Sequence, residues 1–481
     1  VLITSSIILY ADELSLKHPG PALVIAGLAV VVLLVGLAID NFLEQADLPH
    51  IIGLKVLLKH WRSFEELGGL DGAIIDEQIR IVQQLVKGKG YKQIEFLQSF
   101  SGHKLERSAF LVRLDEEAPL VLKFDTIGNI RKESNNFDTY VDNFLGQHPG
   151  RLREGWPPEK QWAKMRHTQL GAILYRLAQL GDNPPRTLGE HYGEVKVVSV
   201  AQVLTAVLRP IATSWWDRQN VGDRTNASLY NEYDKLKRWD LMLEGMKGMK
   251  KDVLTLDLRD FNSLSLPEIE QSSFQLLNNT LPNPIHWVRA VFKDETIFDN
   301  TCQGWVGLNM RRDRIVHGDF HAGNILIEDS NSPPWFIDFS DVHIGPPVRD
   351  IASLEASIKF QLLSNDTLEA LGVGNIYAFE KSLFSAQSQQ TLGDMIPSPL
   401  GVENEELRKV WETVNLLRKK ARTYMVGDEP RPYYLALLHA TLPVLYYRDV
   451  SPWQKLYAFI SAAQICERLP PPAANTQPTN S

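Results

Sequence analysis

Cysteine is nearly absent from this 481-residue chain. Cys302 and Cys466 stand far apart and belong to no ligand-spaced set. A disulfide framework and a cysteine-based zinc site are thereby excluded, and a reducing compartment is the natural setting. Positive charge is also in short supply: 50 Lys and Arg face 58 Asp and Glu, a net charge of −8. No sustained basic stripe offsets that balance, so nucleic acid is not expected as a partner. The small Lys247 to Lys251 cluster reads as a solvated loop. A Gly-x-x-x-x-Gly-Lys-Ser/Thr stretch is missing, which excludes a P-loop nucleotide site. No internal repeat is evident. With 44% hydrophobic residues the chain is long enough to bury one large two-lobed core and still carry extensions.

What is present is a dense polar run, His317-Gly318-Asp319-Phe320-His321-Ala322-Gly323-Asn324, followed by Ile337-Asp338-Phe339. Arg314-Ile315-Val316 and Ile325-Leu326-Ile327 are short apolar, β-branched segments and predict strands on either side of a tight loop. Pro333-Pro334 precedes Trp335-Phe336-Ile337, a third strand that delivers Asp338 at its end. Such a unit brings Asp319, Asn324 and Asp338 around one small volume. Phosphoryl transfer from ATP needs a carboxylate near the attacking hydroxyl and hard oxygen ligands for Mg2+ bridging the phosphates. Asp319 suits the first role; Asn324 and Asp338 suit the second. His317 and His321 flank Asp319 as further catalytic candidates, with His321 either orienting the loop and neighbouring the substrate or packed beneath the loop.

These residues resemble the catalytic core of the aminoglycoside phosphotransferase and choline kinase group, which shares the protein-kinase-like fold. Gly345-Pro346-Pro347-Val348-Arg349-Asp350-Ile351-Ala352 looks like that group's Gly-x-x-x-x-Asp-Leu-Ala segment. The resemblance implies that Asp350 is structural and buttresses the catalytic loop. A narrower likeness is to the phosphotransferase-like, ternary complex-associated domain of bacterial multi-protein systems. It rests on Val121-Leu122-Lys123, Glu133, Gly171 to Tyr175, Trp215-Trp216 and Asp350 to Glu355.

The implied fold is α+β and two-lobed, with a small β-rich N-lobe over residues 91–180 and a larger, mainly helical C-lobe over 181–469. The catalytic loop spans 317–324 and the metal segment 337–350. Upstream, Ile94 to Phe100 and Ala109 to Leu114 predict two strands, and Leu120 to Phe124 a third, in a β-β-β pattern ending in a lysine. By likeness to a kinase small lobe, Lys123 contacts the α- and β-phosphates of ATP, and Glu133, on a helix beginning at Ile130, holds Lys123. Gly102 marks the phosphate-covering loop, where protein kinases show a Gly-x-Gly-x-x-Gly pattern and this chain has one glycine. The run Gly171 to Leu177 leads into the lobe hinge, where the backbone from Tyr175 to Ala178 is expected to bind adenine.

Ala22 to Ile39 carries no charge and lies near the short end of the about 17–25 residues that span a bilayer. A transmembrane helix within a 1–48 membrane segment is the expectation, with a buried core helix as the alternative. Lys55, Lys59 and Arg62 follow the segment and only Lys17 lies just before it, favouring a cytoplasmic kinase-like domain on a single-pass anchor. Residues 49–90 read as juxtamembrane amphipathic helices, with Leu54, Leu57, Leu58 and Trp61 on one face. The opening at Val1 and the apolar Ile3 to Ala11 suggest sequence upstream of it, or a non-Met start read literally.

Downstream, helices are predicted over Val197 to Ala212, Asn226 to Met249, Glu405 to Tyr424 with Asn404 as cap, Pro432 to Tyr447, and Trp453 to Leu469. Residues 250–312 form an insert, and 470–481 a disordered tail. The acceptor bears a hydroxyl and is otherwise undefined. Tyr433, Tyr434, Tyr446, Tyr447 and Trp453 are either a cage for a quaternary ammonium or ordinary core packing. Glu355 either reaches the cleft or is a helix-surface charge. Function reads as an ATP- and Mg2+-dependent phosphotransferase with an alcohol acceptor, small molecule or protein. The alternative is an inactive kinase-fold adaptor with protein partners in a bacterial membrane-associated complex.

Overall fold

The computed structural model describes residues 55–57, 72–86, 91, 93–100, 108–115, 119–143, 159–164, 170–176, 185–217, 229–255, 267–268, 270–302, 313–328, 334–384, 404–425 and 429–472. The expected membrane segment at 22–39, Gly102 and Ala178 lie outside them.

The smaller lobe is built on a six-stranded sheet with β1 at Lys55–Leu57, helix α1 at Gly72–Val86, β2 at Gln93–Ser99, β3 at Ser108–Leu114 and β4 at Leu120–Thr126. Helix α2 (Ile127–Asn136) follows directly and widens into a π-turn over Phe137–Asn143. Strands β5 (Glu159–Lys164) and β6 (Leu170–Arg176) complete the sheet, in the order β1-β2-β3-β4-β6-β5. The apolar run Leu120-Val121-Leu122 does not alternate with polar residues because both faces of this sheet are covered. On one side Ile81, Val82 and Leu85 of α1 join a core with Phe96, Phe110, Leu122 and Phe124. On the other, Leu111, Val121, Ile173 and Tyr175 pack with Ile130 and Phe137. Helix α1 agrees with the amphipathic helices expected over 49–90, but Lys55–Leu57 corrects that reading. It is a strand, parallel to Gln93–Glu95. Pairing there satisfies backbone groups that β2 would otherwise leave open on a sheet edge, and that outweighs the helical spacing of the leucines.

The larger lobe begins with β7 (Arg186–Thr187), α3 (Leu188–Glu194) and α4 (Val197–Ile211). Helix α4 buries Val200, Val203, Leu204, Val207, Leu208 and Ile211. After Pro210 it passes into a π-turn, Ala212–Trp216, an irregularity that often marks a functional element. Val197–Trp216 is apolar and long enough to cross a membrane, yet half of it is buried as a core helix. The single helix expected from Asn226 to Met249 is instead three pieces: α5 (Leu229–Glu232), a 3-10 turn (Asp234–Lys237) and α6 (Trp239–Thr255).

The insert contributes a hairpin, β8 (Ser273–Leu276) with β9 (Asn279–Pro282), then α7 (Pro284–Val291) and α8 (Glu295–Cys302). The catalytic segment follows as β10 (Arg314–Val316), β11 (Ile325–Ile327), β12 (Trp335–Phe336) and β13 (His343–Gly345). The strands flanking the polar loop do not pair with each other. β10 pairs with β13, while β11 lies between β12 and β7.

Five helices close the lobe: α9 (Pro347–Ser357), α10 (Asn365–Leu383), α11 (Glu405–Arg422), α12 (Arg431–Thr441) and α13 (Pro452–Cys466). Asn404 caps α11 as expected, its Oδ1 accepting from the Leu407 N–H at 3.1 Å. The tail begins later than predicted, because the Pro470 carbonyl accepts a hydrogen bond from Trp287 Nε1 at 2.9 Å; 473–481 lie outside the described residues.

Candidate active site

The site is assembled from the turn between β4 and α2 on one side and from the β10–β13 segment on the other. Thr126 ends β4 and caps α2, its Oγ1 accepting from the Asn129 N–H, so the helix starts at once. Glu133 then lies two turns into α2, fully buried and facing β4. Lys123 Nζ donates to Glu133 Oε2 at 2.9 Å and pairs with Asp338 Oδ1 at 2.6 Å. The other Glu133 oxygen accepts from the Tyr175 hydroxyl at 2.6 Å and from the Phe339 N–H at 3.2 Å. One carboxylate therefore ties the small-lobe lysine, the β6 strand and the Asp338 loop together.

Asp338 sits at φ +66°, a left-handed backbone that only a held residue adopts. Several contacts hold it. Ser340 Oγ donates to Asp338 Oδ1 at 2.8 Å, and Asn136 Nδ2 donates to the Phe339 and Ser340 carbonyls at 3.0 Å each. Phe339 is buried edge-on against Phe137 and Tyr175.

The catalytic loop hangs from Asp350. Its Oδ2 accepts from the His317 N–H at 2.8 Å and from Trp216 Nε1 at 3.3 Å, and its Oδ1 accepts from the Gly318 N–H at 2.9 Å. The π-turn after Pro210 is what aims Trp216 at this carboxylate. Asp350 thus holds the loop backbone at His317 and Gly318. Asn324 Nδ2 donates to the Asp319 carbonyl at 2.9 Å, leaving its Oδ1 outside that bond.

One predicted catalytic role needs correction. His317 is fully buried, and its Nε2 donates to the Ile337 carbonyl at 3.0 Å. It bolts the loop to the segment bearing Asp338 and does not line the cleft. Tyr175, fully buried, lines the cleft between the lobes and spends its hydroxyl on Glu133. His321, about a third exposed, orients the loop: its Nδ1 accepts from the Gly323 N–H at 3.1 Å, and its Nε2 lies 3.6 Å from Asp319 Oδ2.

Two cavities meet around this loop. A cleft of about 530 Å³ between the lobes is lined by Ala109, Val121, Lys123, Asn324, Ile337 and Asp338, with His321 at its floor. Behind Asp319 lies a small cavity of about 40 Å³, which His321 also borders. Lys235 faces it, and no motif announced that residue. Its Nζ lies 3.4 Å from Asp319 Oδ1, although the two residues are remote in sequence.

Burial pushes the Asp319 carboxyl up, but Lys235, His321 and His317 outweigh it and hold the group well below the usual carboxylate range. Burial likewise raises and Lys123 lowers Asp338, with a net shift downward. Burial pulls Lys123 down, but Asp338 and Glu133 more than restore it, so it stays charged. Among the described residues no group of three or more His, Cys, Asp or Glu could hold a metal ion. A hard cation taken mainly by phosphate and water needs only one or two protein oxygens. Asp338 and Asn324 offer those.

The remaining aromatic and acidic candidates belong to the core. Tyr433, Tyr434 and Trp453 are buried, and the Tyr433 hydroxyl donates to Glu355 Oε2 at 2.5 Å. Glu355 is fully buried and takes two hydrogen bonds from Arg418, at 3.1 and 2.8 Å. It is neither a cleft residue nor a surface charge. Tyr447 alone of the aromatic set lines the cavity behind Asp319.

Residues 257–446 match the model of the family described as ternary complex associated domain 9. No curated protein matches the chain. Among solved structures, a choline kinase from Cryptosporidium parvum Iowa II is similar at 14% identity over 83% of this chain and 95% of its own, with a TM-score of 0.35. A putative fructosamine-3-kinase from Thermobifida fusca YX-ER1 is 14% identical over 79% and 97%, with a TM-score of 0.36. An amicoumacin kinase in complex with AMP-PNP, Ca2+ and Ami is 12% identical over 83% and 96%, with a TM-score of 0.39.

Proposed function

We propose that this chain is a phosphotransferase that moves the γ-phosphoryl group of ATP to an alcohol. The observation that carries the reading is Lys123 bridging Glu133 and Asp338 at 2.9 and 2.6 Å beside Asn324, while Asp319 faces a separate cavity behind the loop. Lys123 presents a permanent cation to the phosphates, held in place by a glutamate that is itself anchored at both oxygens. The apolar walls at Ala109, Val121 and Ile337 suit a purine base. Asp338 and Asn324 would hold Mg2+, which when bound neutralises charge on the β- and γ-phosphates. Asp319, kept ionised, orients the acceptor hydroxyl by accepting its hydrogen bond, and takes the proton as the bond to phosphorus forms. The catalytic work is positioning and charge stabilisation in a partly closed cleft.

The description of the matched family favours a second reading, an adaptor that keeps the fold for assembly with other proteins. The two readings part on nucleotide binding. Mg-ATP is expected to raise the melting temperature of the native chain and not that of Asp338→Ala, read by thermal shift. An equal response of both proteins, or of neither with no ATP turnover, would sink the phosphotransferase reading.

A further inference from the structure

We propose that the small cavity behind Asp319 is the acceptor pocket, that it selects a compact alcohol also carrying a carboxylate or phosphate, and that Lys235 holds that anion. This rests on the phosphotransferase reading and deepens it.

The cavity is rich in donors and poor in carboxylates. Among the described residues Asp319 is the one carboxylate that lines it. Lys235 brings an ammonium with three N–H donors, and its one hydrogen-bond partner among the described residues is Asp319. At 3.4 Å that contact is long for a charge-assisted bond, which normally closes to about 2.7–2.9 Å. Arg349 and His439 also line the cavity, and both are buried. Arg349 Nε has no hydrogen-bond partner, while His439 Nε2 lies 4.0 Å from Asp234 Oδ1. Buried donors left unpaired are costly, and a ligand bearing several oxygens relieves that cost. The other end of the Arg349 guanidinium is committed to Glu232 and to the Gly318 carbonyl, so Lys235 is the cation with donors to spare.

Lys235 is aimed by its own turn. Glu232, just before it, is held by Arg349 and by His343 Nε2 at 2.9 Å, and Leu236, just after it, is fully buried. Anchored on both sides, the 3-10 turn has little choice but to present Lys235 to Asp319. A cationic acceptor would find this ammonium at close range and, among the described residues that line the cavity, no carboxylate besides Asp319 to answer it. Of the aromatic side chains that might have caged such a cation, Tyr433, Tyr434 and Trp453 are buried in the core. Size sharpens the reading further: about 40 Å³ admits only a few heavy atoms, far less than the about 300–1,000 Å³ of pockets for larger ligands.

In the transfer, the acceptor hydroxyl oxygen forms a bond to the γ-phosphorus as the bond from that phosphorus to the β–γ bridging oxygen breaks. ADP leaves with the electron pair, and the hydroxyl proton passes to Asp319 and then to solvent. Lys235 stays charged and holds the acceptor's anionic group throughout.

The test uses the full chain and four probes: glycerate and glycerol 3-phosphate against choline and kanamycin. Mg-AMP-PNP binding is read first, by thermal shift. If it fails, the phosphotransferase reading falls and this one with it. If it holds, at least one anionic probe should add a further shift and accept phosphate from Mg-ATP, while the cations do neither. The better of the two anions identifies carboxylate or phosphate. Lys235→Gln should raise KM for that probe about tenfold or more, with a smaller change in kcat, and Lys235→Arg should restore most of it. The proposal is overturned if nucleotide binds and the cations are preferred, if neither anion binds, or if Lys235→Gln leaves KM unchanged.

Discussion

Replacing Asp319 by asparagine is expected to slow phosphoryl transfer by about 10²- to 10⁴-fold while Mg-ATP binding survives. Asparagine keeps the size of the side chain but can neither take the proton nor balance Lys235. The proposed nucleotide contacts, Lys123, Asn324 and Asp338, line the other cavity, so the nucleotide-induced thermal shift should persist. Loss of transfer with loss of nucleotide binding would mean instead that Asp319 supports the loop. The pH profile carries a second check. The folded-state carboxyl lies below its ordinary value of about 4 because Lys235 and two histidines outweigh the effect of burial. Its charged form is therefore fully present above that ordinary value and is lost only as pH falls through the lowered one. Removal of the Lys235 charge should move the acidic limb of kcat upward. The same shift has a stability consequence: the ion pair stabilises the fold at neutral pH, and that contribution disappears only in strong acid.

Positions fixed by local pattern and by the family resemblance were legible before the structure: Lys123 on its strand, Glu133 on the next helix, Asn324 five after Asp319, and Asp338 closing its own short run. The helices after the catalytic segment were legible too, since Asn404 and the periodicity beyond it are local signals. What escaped depends on contacts between remote positions. Lys235 reaches Asp319 only because Glu232 meets Arg349 and His343, 117 and 111 residues away. His317 lies two positions before Asp319 in sequence yet turns inward, and its partner Ile337 is 20 residues on. The tyrosines of α12 had a helical spacing that fits cage and core equally well. Burial of Tyr433 on Glu355 decides for core, and Arg418, the residue that makes a buried Glu355 tolerable, comes from another helix 63 positions away.

Gly318→Ala is expected to cost about 3 kcal/mol or more of stability, and to remove activity even under conditions where the protein still folds. The glycine has φ +80°, a backbone that residues with a Cβ rarely adopt, and its N–H donates to Asp350. A Cβ built there would overlap the carbonyl oxygen of Asp341 and crowd its side chain. Relief would require moving the loop after Asp338, which Asn136 holds from α2, or pulling Gly318 off Asp350. Either displaces Asp319 from Asp338, so the fault in packing becomes a fault in the site. Gly323→Ala is the control. Its Cβ would meet only the His321 ring, a partly exposed side chain that can swing aside, and about 1 kcal/mol from the lost hydrogen bond to His321 Nδ1 is the expected cost. Urea unfolding of the two variants beside the parent reads the difference directly. Equal midpoints for Gly318→Ala and Gly323→Ala would show that the left-handed backbone at 318 does not hold the loop.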